Sequence, residues 1–199
     1  SGKTPIKIAF SGPMTGDYAE YGQNFYAACE IAADEINSNG GLLDGSPVEL
    51  LQFDDKNSQE EVGAIAEMIA TVSKPTVSLV LGGSHSIGVP LAVSADYSFI
   101  VPSGTLLIHP VRMGGTVIGA PRSFAYFKRV QDRITEFIEG HSQAKKQMLE
   151  QMMMDNTELT NDLGTILVGK EAVDAGLIDA VGGISEALKK LKSMIEGGA

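Results

Sequence analysis

Short apolar runs alternate with longer amphipathic segments along the chain. The runs "PIKIAFSGP", "PVELLQFDD" and "PTVSLVLGG" predict strands, and each ends in glycine, proline or acidic residues. Residues 22–41 and 58–73 repeat apolar positions at helical spacing and predict the helices that lie between these strands. This alternation favours an α/β fold with a mostly parallel sheet and flanking helices.

The rest of the chain continues with helices and short strands. The predicted elements are, in order, a short helix over 89–97, one or two strands over 97–110, a long helix over 121–142, a Met-rich helix over 145–155, a helix-turn-strand unit over 169–183 and a closing amphipathic helix over 184–195. One apolar stripe follows the long helix through Phe124, Phe127, Val130, Ile134, Phe137 and Ile138.

Composition narrows the class of protein. With 43% hydrophobic and 20% charged residues, the 199-residue chain is an ordinary globular sequence. A net charge of -10 without a long basic run argues against nucleic acid or an anionic membrane as partner. No apolar stretch reaches membrane-spanning length. The single cysteine, Cys29, rules out an internal disulfide, and no metal or cofactor motif is present, so neither group is expected.

The stretch "LVLGGSHSIGVP" places Ser86 after an apolar run, between small residues. A serine hydroxyl becomes a nucleophile when a base takes its proton and a third group orients that base. Of the three histidines, His85 is adjacent and would point away, and His141 lies at the polar end of a helix. His109 follows a predicted strand, where parallel-sheet proteins keep their chemistry. The residues alone also allow a loop serine and a strand-end histidine that both bond to backbone.

Three longer stretches make the assignment more specific: "AIAEMIATVSKPTVSLVLGGSHSIGVPLAVSADYSFI", "IHPVR" and "GKEAVDAGLIDAVGG". From about residue 63 to residue 199 the chain resembles the Clp-type serine peptidases, most closely their translocation-enhancing branch, which implies a ClpP- and crotonase-like fold. The resemblance implies that Ser86 is the nucleophile, His109 the general base and Asp162 the acid, with Asp155 as a weaker candidate. An α/β-hydrolase would place its acid before its histidine and would have glycine at Ser84.

The same resemblance has implications for the oxyanion hole, the substrate and the assembly. The backbone N–H of Ile87, directly after the nucleophile, would donate to an oxyanion. The helix over 121–140 matches the helix through which family members associate, so a ring-shaped homo-oligomer is implied. Peptides or proteins would be the substrates and the location cytoplasmic, while an unfoldase partner stays undetermined.

The N-terminal stretch carries a different resemblance. The features "GPMTGDYAEYG", "INSNGG" and a strand ending "DD" resemble solute-binding proteins for leucine, isoleucine and valine, over residues 1–62. In this alternative the protein is an amino-acid-binding module, periplasmic or extracellular, in which Tyr21, Ser84 and Ser86 contact the ligand. The switch between the two resemblances, at 61–63, falls inside a predicted helix, and we expect both parts to form one integrated fold.

The switch also has a chemical consequence. Clp-type peptidases carry a Gly-Gly oxyanion motif before the helix that matches "AIAEMIA", but here "FDDKNSQEE" contains no glycine. Loss of one oxyanion donor costs on the order of a hundred- to a thousand-fold in turnover. Asp54 and Asp55 would also repel a developing oxyanion if they lay near it. The resemblance therefore implies a Ser-His-Asp peptidase with impaired activity, and a third interpretation is a hybrid chain without activity.

Overall fold

The computed structural model describes residues 3–43, 45–112, 119–157 and 163–197. The chain divides into two compact units, unit 1 (Ser1–Ile65) and unit 2 (Ala66–Ala199). The boundary between the units falls inside a helix, α2, which spans Gln59–Ala70. None of the described helices combines the length and the apolar character that a membrane span requires.

Unit 1 begins with a strand-helix-strand arrangement: β1 (Ile6–Gly12), α1 (Ala19–Ser38) and β2 (Val48–Asp54). The two strands are parallel, with Gly12 beside Asp54 at their carboxyl ends. Helix α1 packs on β2 and ends where Gly40 and Gly41 take positive φ values, 98° and 86°, that glycine adopts most readily.

Unit 2 contains six strands and five complete helices among its described residues. In chain order they are β3 (Val77–Val80), β4 (Gly83–His85), α3 (Gly88–Val93), β5 (Tyr97–Ile100), β6 (Thr105–Ile108), α4 (Ala120–Gly140), α5 (Lys146–Met153), β7 (Thr165–Val168), α6 (Lys170–Asp174), β8 (Ala180–Val181) and α7 (Ile184–Gly197). They form two sheets, with strand orders β3-β5-β8 and β4-β6-β7. Only the β6–β7 pairing among these is antiparallel, so the predicted α/β fold with mostly parallel strands is confirmed.

The segment "PTVSLVLGG" contains β3 and ends at Gly83, the first residue of a second strand, β4, where the sequence predicts a single strand. The chain leaves the first sheet after Val80 and enters the second at Gly83. The Val80 carbonyl accepts from Val101, and the Gly82 carbonyl accepts from Thr105, which begins the pairing with β6. The sequence pattern does not reveal this change of sheet, because β4 is only three residues long, Gly-Ser-His, and has no apolar periodicity.

Two aspartates fix the register of the first sheet in the same way. Asp96 accepts from the N–H and the hydroxyl of Thr76, at 2.9 and 3.0 Å, and its own N–H donates back to that hydroxyl. Asp179 makes the same three bonds with Ser98, at 2.8, 2.8 and 3.0 Å. Each pair lies one position before the first paired residues of its two strands.

The core of unit 2 lies between α3, α4, α5 and the sheets. Its fully buried side chains include Ile100, Leu106, Ile138 and Leu149. Only the C-terminal part of the apolar stripe on α4 contributes to this core, whereas Phe124 near the start of the helix is 70% exposed.

Candidate active site

Ser86 lies in the turn that joins β4 to α3, which we call the serine turn and define as residues 83–88. Its backbone φ is 56°, in the left-handed region that non-glycine residues rarely adopt. The Ser86 N–H donates to the Leu107 carbonyl at 2.9 Å, and its own carbonyl accepts from Val89 at 3.1 Å. Strain of this kind, about 1–3 kcal/mol, concentrates at functional sites and persists where surrounding contacts enforce it.

His109 follows the strand that pairs with β4. Strands β4 and β6 are parallel with His85 beside Leu107, so Ser86 and His109 both lie just beyond the carboxyl ends of neighbouring strands. His109 Nδ1 lies 2.7 Å from the Pro110 carbonyl, which can only accept, so Nδ1 carries the hydrogen and Nε2 keeps a free lone pair in the neutral ring. Among the described residues, His109 and the Ser86 hydroxyl make no direct hydrogen bond.

Of the two candidate acids, Asp162 lies outside the described residues. Gly164, two residues later, lies against His109: a Cβ added there would be 2.6 Å from the Ile108 carbonyl and 3.0 Å from His109 Cβ. Asp155 is tied to this segment through its carbonyl, which accepts from Gly164 at 2.7 Å. Its carboxylate, however, accepts from the hydroxyl and N–H of Thr157, which lower the pKa of Asp155.

The amide after the serine is available to a ligand. Ile87 lies at the N-cap of α3, with φ −66°. Within the described part of the chain, nothing accepts a hydrogen bond from the Ile87 N–H. Its position directly after Ser86 is the one from which a turn amide donates to an oxyanion.

The residues of the alternative binding site have separate environments. Tyr21 lies in the first turn of α1 in unit 1 and is 65% exposed. The Ser84 hydroxyl donates to the Gly88 carbonyl at 2.7 Å, so its hydrogen is already used inside the serine turn. Next to it, His85 Nε2 lies 2.8 Å from the Thr105 hydroxyl, on the neighbouring strand.

A second polar cluster occupies the carboxyl ends of β1 and β2. Asp54 accepts from the Thr15 hydroxyl at 2.6 Å and from the N–H groups of Met14 and Lys56 at 2.8 and 2.9 Å. These bonds, the Thr15 hydroxyl first, lower the pKa of Asp54 from 3.8 to about 2. From the sequence, Asp54 is considered only as a charge, and its hydrogen bonds to the loop after β1 are not predicted. The available signal for these bonds is the "DD" at the end of one strand together with the "PMTG" loop at the end of the other.

The family models match two overlapping parts of the chain. The Clp protease model matches residues 58–185, and the periplasmic binding protein model matches residues 5–105. The chain therefore belongs to the Clp protease family, and its N-terminal half belongs to the periplasmic binding protein family. Both resemblances inferred from the sequence are confirmed. The shared stretch, 58–105, contains the whole serine turn.

Individual relatives also match either the Clp protease part or the binding-protein part of the chain. Translocation-enhancing protein TepA of Halalkalibacterium halodurans is 53% identical over 133 residues, which are 67% of this chain and 52% of that protein. The Leu/Ile/Val-binding protein of Escherichia coli K12 is 31% identical over 64 residues, 32% of this chain and 17% of that protein. A leucine-, isoleucine-, valine-, threonine- and alanine-binding protein of Pseudomonas aeruginosa is 31% identical over 101 residues, 50% of this chain and 27% of that protein. The chain thus spans about half of TepA and less than a third of either binding protein.

Proposed function

We propose that the protein is a serine peptidase of the Clp type, with Ser86 as nucleophile, His109 as general base and Asp162 as the acid that orients His109. The observation that carries this proposal is the left-handed Ser86 at a strand-to-helix turn, beside strand β6, which His109 directly follows. Asp162 is supported by its place in the chain, two residues before the Gly164 that lies against His109.

The geometry suggests the following reaction. His109 Nε2 takes the hydroxyl proton while Ser86 Oγ attacks the carbonyl carbon of a peptide bond, and the Ile87 N–H stabilises the resulting oxyanion. His109 then donates the proton to the leaving amine, and an acyl-serine remains. Water, activated by the same imidazole, hydrolyses the acyl group and regenerates the serine.

We further propose that turnover is slow. The residues that replace the family's Gly-Gly motif supply no glycine amide, so only one oxyanion donor is assigned, and the expected loss is on the order of a hundred- to a thousand-fold. Peptides or proteins in the cytoplasm would be the substrates. A ring of identical subunits would be the assembly, with the exposed start of α4 as a contact surface.

A fluorophosphonate probe tests this proposal because it reacts with activated serines without requiring full turnover. We expect labelling of the wild-type protein, none in Ser86→Ala, and labelling at least about a hundredfold slower in His109→Ala. His141→Ala is the matched control, because the contacts of the His141 ring are with Phe137, one helical turn back, whose carbonyl it bonds and whose ring it stacks on, and this variant should label at the wild-type rate. An unlabelled wild type, or equal labelling of Ser86→Ala, would remove the catalytic assignment.

Amino-acid binding is a second candidate function. The periplasmic binding protein match spans both the loop anchored by Asp54 and the serine turn. If the protein binds leucine, isoleucine or valine, excess ligand should raise its thermal midpoint, since binding adds RT ln(1 + [L]/Kd) to stability. Tyr21→Ala should abolish that rise, whereas Tyr126→Ala, an exposed tyrosine on α4, should retain it.

A hybrid chain without either activity is the third interpretation. It would be indicated by a folded protein that neither labels with the probe nor responds to the three amino acids. Circular dichroism and a cooperative thermal transition would establish that the tested sample is folded.

A further inference from the structure

Two side-chain hydrogen bonds lie next to Ser86 in sequence: one spans the serine turn and the other ties β4 to the neighbouring strand β6. Ser84 and His85 are consecutive strand residues, so their side chains point to opposite faces of the sheet. On one face the Ser84 hydroxyl reaches across the turn to the Gly88 carbonyl at 2.7 Å. On the other face His85 Nε2 reaches the Thr105 hydroxyl of β6 at 2.8 Å. We name these contacts the Ser84 bridge and the His85 bridge.

Each bridge occupies space that a glycine leaves open. A Cβ added at Gly88 would lie 2.8 Å from the Ser84 hydroxyl. A Cβ added at Gly83 would lie 2.7 Å from two atoms of the His85 ring. Neither glycine has a positive φ, so what requires glycine here is room for the bridges and not backbone conformation. The spacing of "GSHSIG" is explained by this arrangement.

We propose that Ser84 and His85 are positioning residues that hold Ser86 in its left-handed conformation, an inference that rests on the proposed function of Ser86. A strained φ persists only where its surroundings enforce it. The backbone contributes two hydrogen bonds: the Ser86 N–H donates to the Leu107 carbonyl, and the Val89 N–H donates to the Ser86 carbonyl. The two bridges add one side-chain hydrogen bond each, from the two residues that precede Ser86. Both residues act through the backbone of the turn and need not touch a substrate.

The first test measures the turn itself and does not depend on activity. Amide hydrogen exchange of the Ser86 N–H, followed by NMR, reports opening of its bond to Leu107. In Ser84→Ala and in His85→Ala we expect this exchange to be about two- to tenfold faster, the range for one lost hydrogen bond. Ser78→Ala is the matched control, because the Ser78 hydroxyl also donates to a carbonyl of α3, that of Ala92, but away from the turn.

The second test measures the consequence for the nucleophile. The fluorophosphonate labelling rate should fall about two- to tenfold in Ser84→Ala, and Ser84→Thr, which keeps a hydroxyl, should restore it. Gly88→Ala should reproduce the loss, because it displaces the Ser84 hydroxyl without removing it. Thr105→Val should slow labelling as His85→Ala does, and Thr105→Ser should not. The pH midpoint of labelling should stay constant, since His109 is unchanged.

The outcomes separate this inference from the proposed function. If the wild type labels, but Ser84→Ala and His85→Ala match it in both labelling and Ser86 exchange, the positioning role is wrong and the peptidase assignment stands. If the wild type never labels, but exchange at Ser86 still accelerates, the bridges are real and the peptidase assignment fails. If Ser78→Ala changes either readout as much as Ser84→Ala does, the effect is general destabilisation and the positioning role is also wrong.

Discussion

The two units place polar residues at the carboxyl ends of parallel strands, but they stabilise those ends differently. Unit 2 has a continuous core of buried apolar side chains behind β4 and β6. Among its described residues, the buried hydrophobic side chains of unit 1 are Ala33, Val48, Val62 and Ile65, all of them small or β-branched. Its helix α1 exposes Tyr21, Phe25 and Ile31. Burial of apolar area is the dominant favourable contribution to folding, so unit 1 gains less hydrophobic stabilisation than unit 2.

We infer that hydrogen bonds from polar side chains contribute a larger part of the stability of unit 1. The Asn37 side chain bonds both the carbonyl and the N–H of Val48, at 2.9 and 2.7 Å, and thereby ties the end of α1 to β2. Asp54 holds the loop after β1 in the same manner. The comparison indicates that core substitutions should dominate in unit 2 and that polar substitutions and pH should matter more in unit 1.

The largest expected effect is that of a core truncation in unit 2. Leu106 is fully buried in the central strand of its sheet. Leu106→Ala should lower the unfolding free energy by about 2–5 kcal/mol. Leu81→Ala is the control at a leucine that is 67% exposed, and should change stability by less than about 0.5 kcal/mol. Urea denaturation followed by circular dichroism measures both. Similar effects of the two substitutions would contradict the contrast between core and surface.

The next largest loss of stability should come from a polar substitution in unit 1. Asn37→Ala leaves the buried Val48 amide and carbonyl without their side-chain partner and should cost about 1–3 kcal/mol. Asn37→Asp keeps the acceptor for the N–H but places a carboxylate oxygen against the Val48 carbonyl, so it should not restore wild-type stability. Asn39→Ala, at an exposed position just after α1, is the control. If Asn37→Ala were silent in denaturation, polar contacts would not be what orders unit 1.

Acid should loosen the loop of unit 1 through Asp54. Because its bonds favour the charged carboxylate and lower its pKa to about 2, the stabilisation is full above its ordinary value of 3.8 and is lost as the pH falls from there towards 2. The amide resonances of Met14 and Thr15 should titrate with a midpoint near 2, and Asp54→Asn should remove that titration. Asp17→Asn, in the same loop, should leave it in place, and a midpoint near 3.8 would show that the bonds do not form in solution.

The smallest effect should come from an exposed ion pair in unit 2. Lys170 and Asp174 face each other one helical turn apart, with side chains 77% and 61% exposed. Lys170→Ala should change the unfolding free energy by less than about 0.5 kcal/mol, and salt at 1 M should reduce the difference further. A loss above 1 kcal/mol in the same urea experiment would mean that surface charge, and not only the core, sustains unit 2.

Much of the fold was predictable because apolar periodicity records which face of an element is buried. The predicted long helix over 121–142 is observed as α4, Ala120–Gly140, and the closing helix as α7. Strand β7 was missed, although three of its four residues, Thr, Ile and Val, have high strand propensity, because its antiparallel partner β6 is nearly sixty residues earlier. Helix α1 starts at Ala19, three residues before its predicted start. No side chain caps this end, where the Ala19 N–H donates to the Gly16 carbonyl, so the sequence carries no capping residue that would mark the start.

The candidate site was predictable to a smaller extent. A strand-end position made His109 a candidate, the run "LVLGGSHSIGVP" made Ser86 one, and the family resemblance implied their roles, which stay predictions. Backbone strain at Ser86 was not readable, because left-handed φ at a serine has no sequence signal. The bridges of Ser84 and His85 were equally hidden, since they depend on which strand lies beside β4. The acid assignment, Asp162, stays a prediction, because that residue lies outside the described ranges.

The paired aspartates of the first sheet also bear on how that sheet assembles. A one-residue slip of β5 against β3, or of β8 against β5, would forfeit three hydrogen bonds together and rotate every side chain of the strand to the opposite face. In both pairings the three bonds lie directly before the first paired residues, so the native alignment is favoured over a slipped one from the start of each strand. Three strands of only two to four residues offer few backbone bonds to distinguish one alignment from another, and these side-chain bonds supply the missing preference.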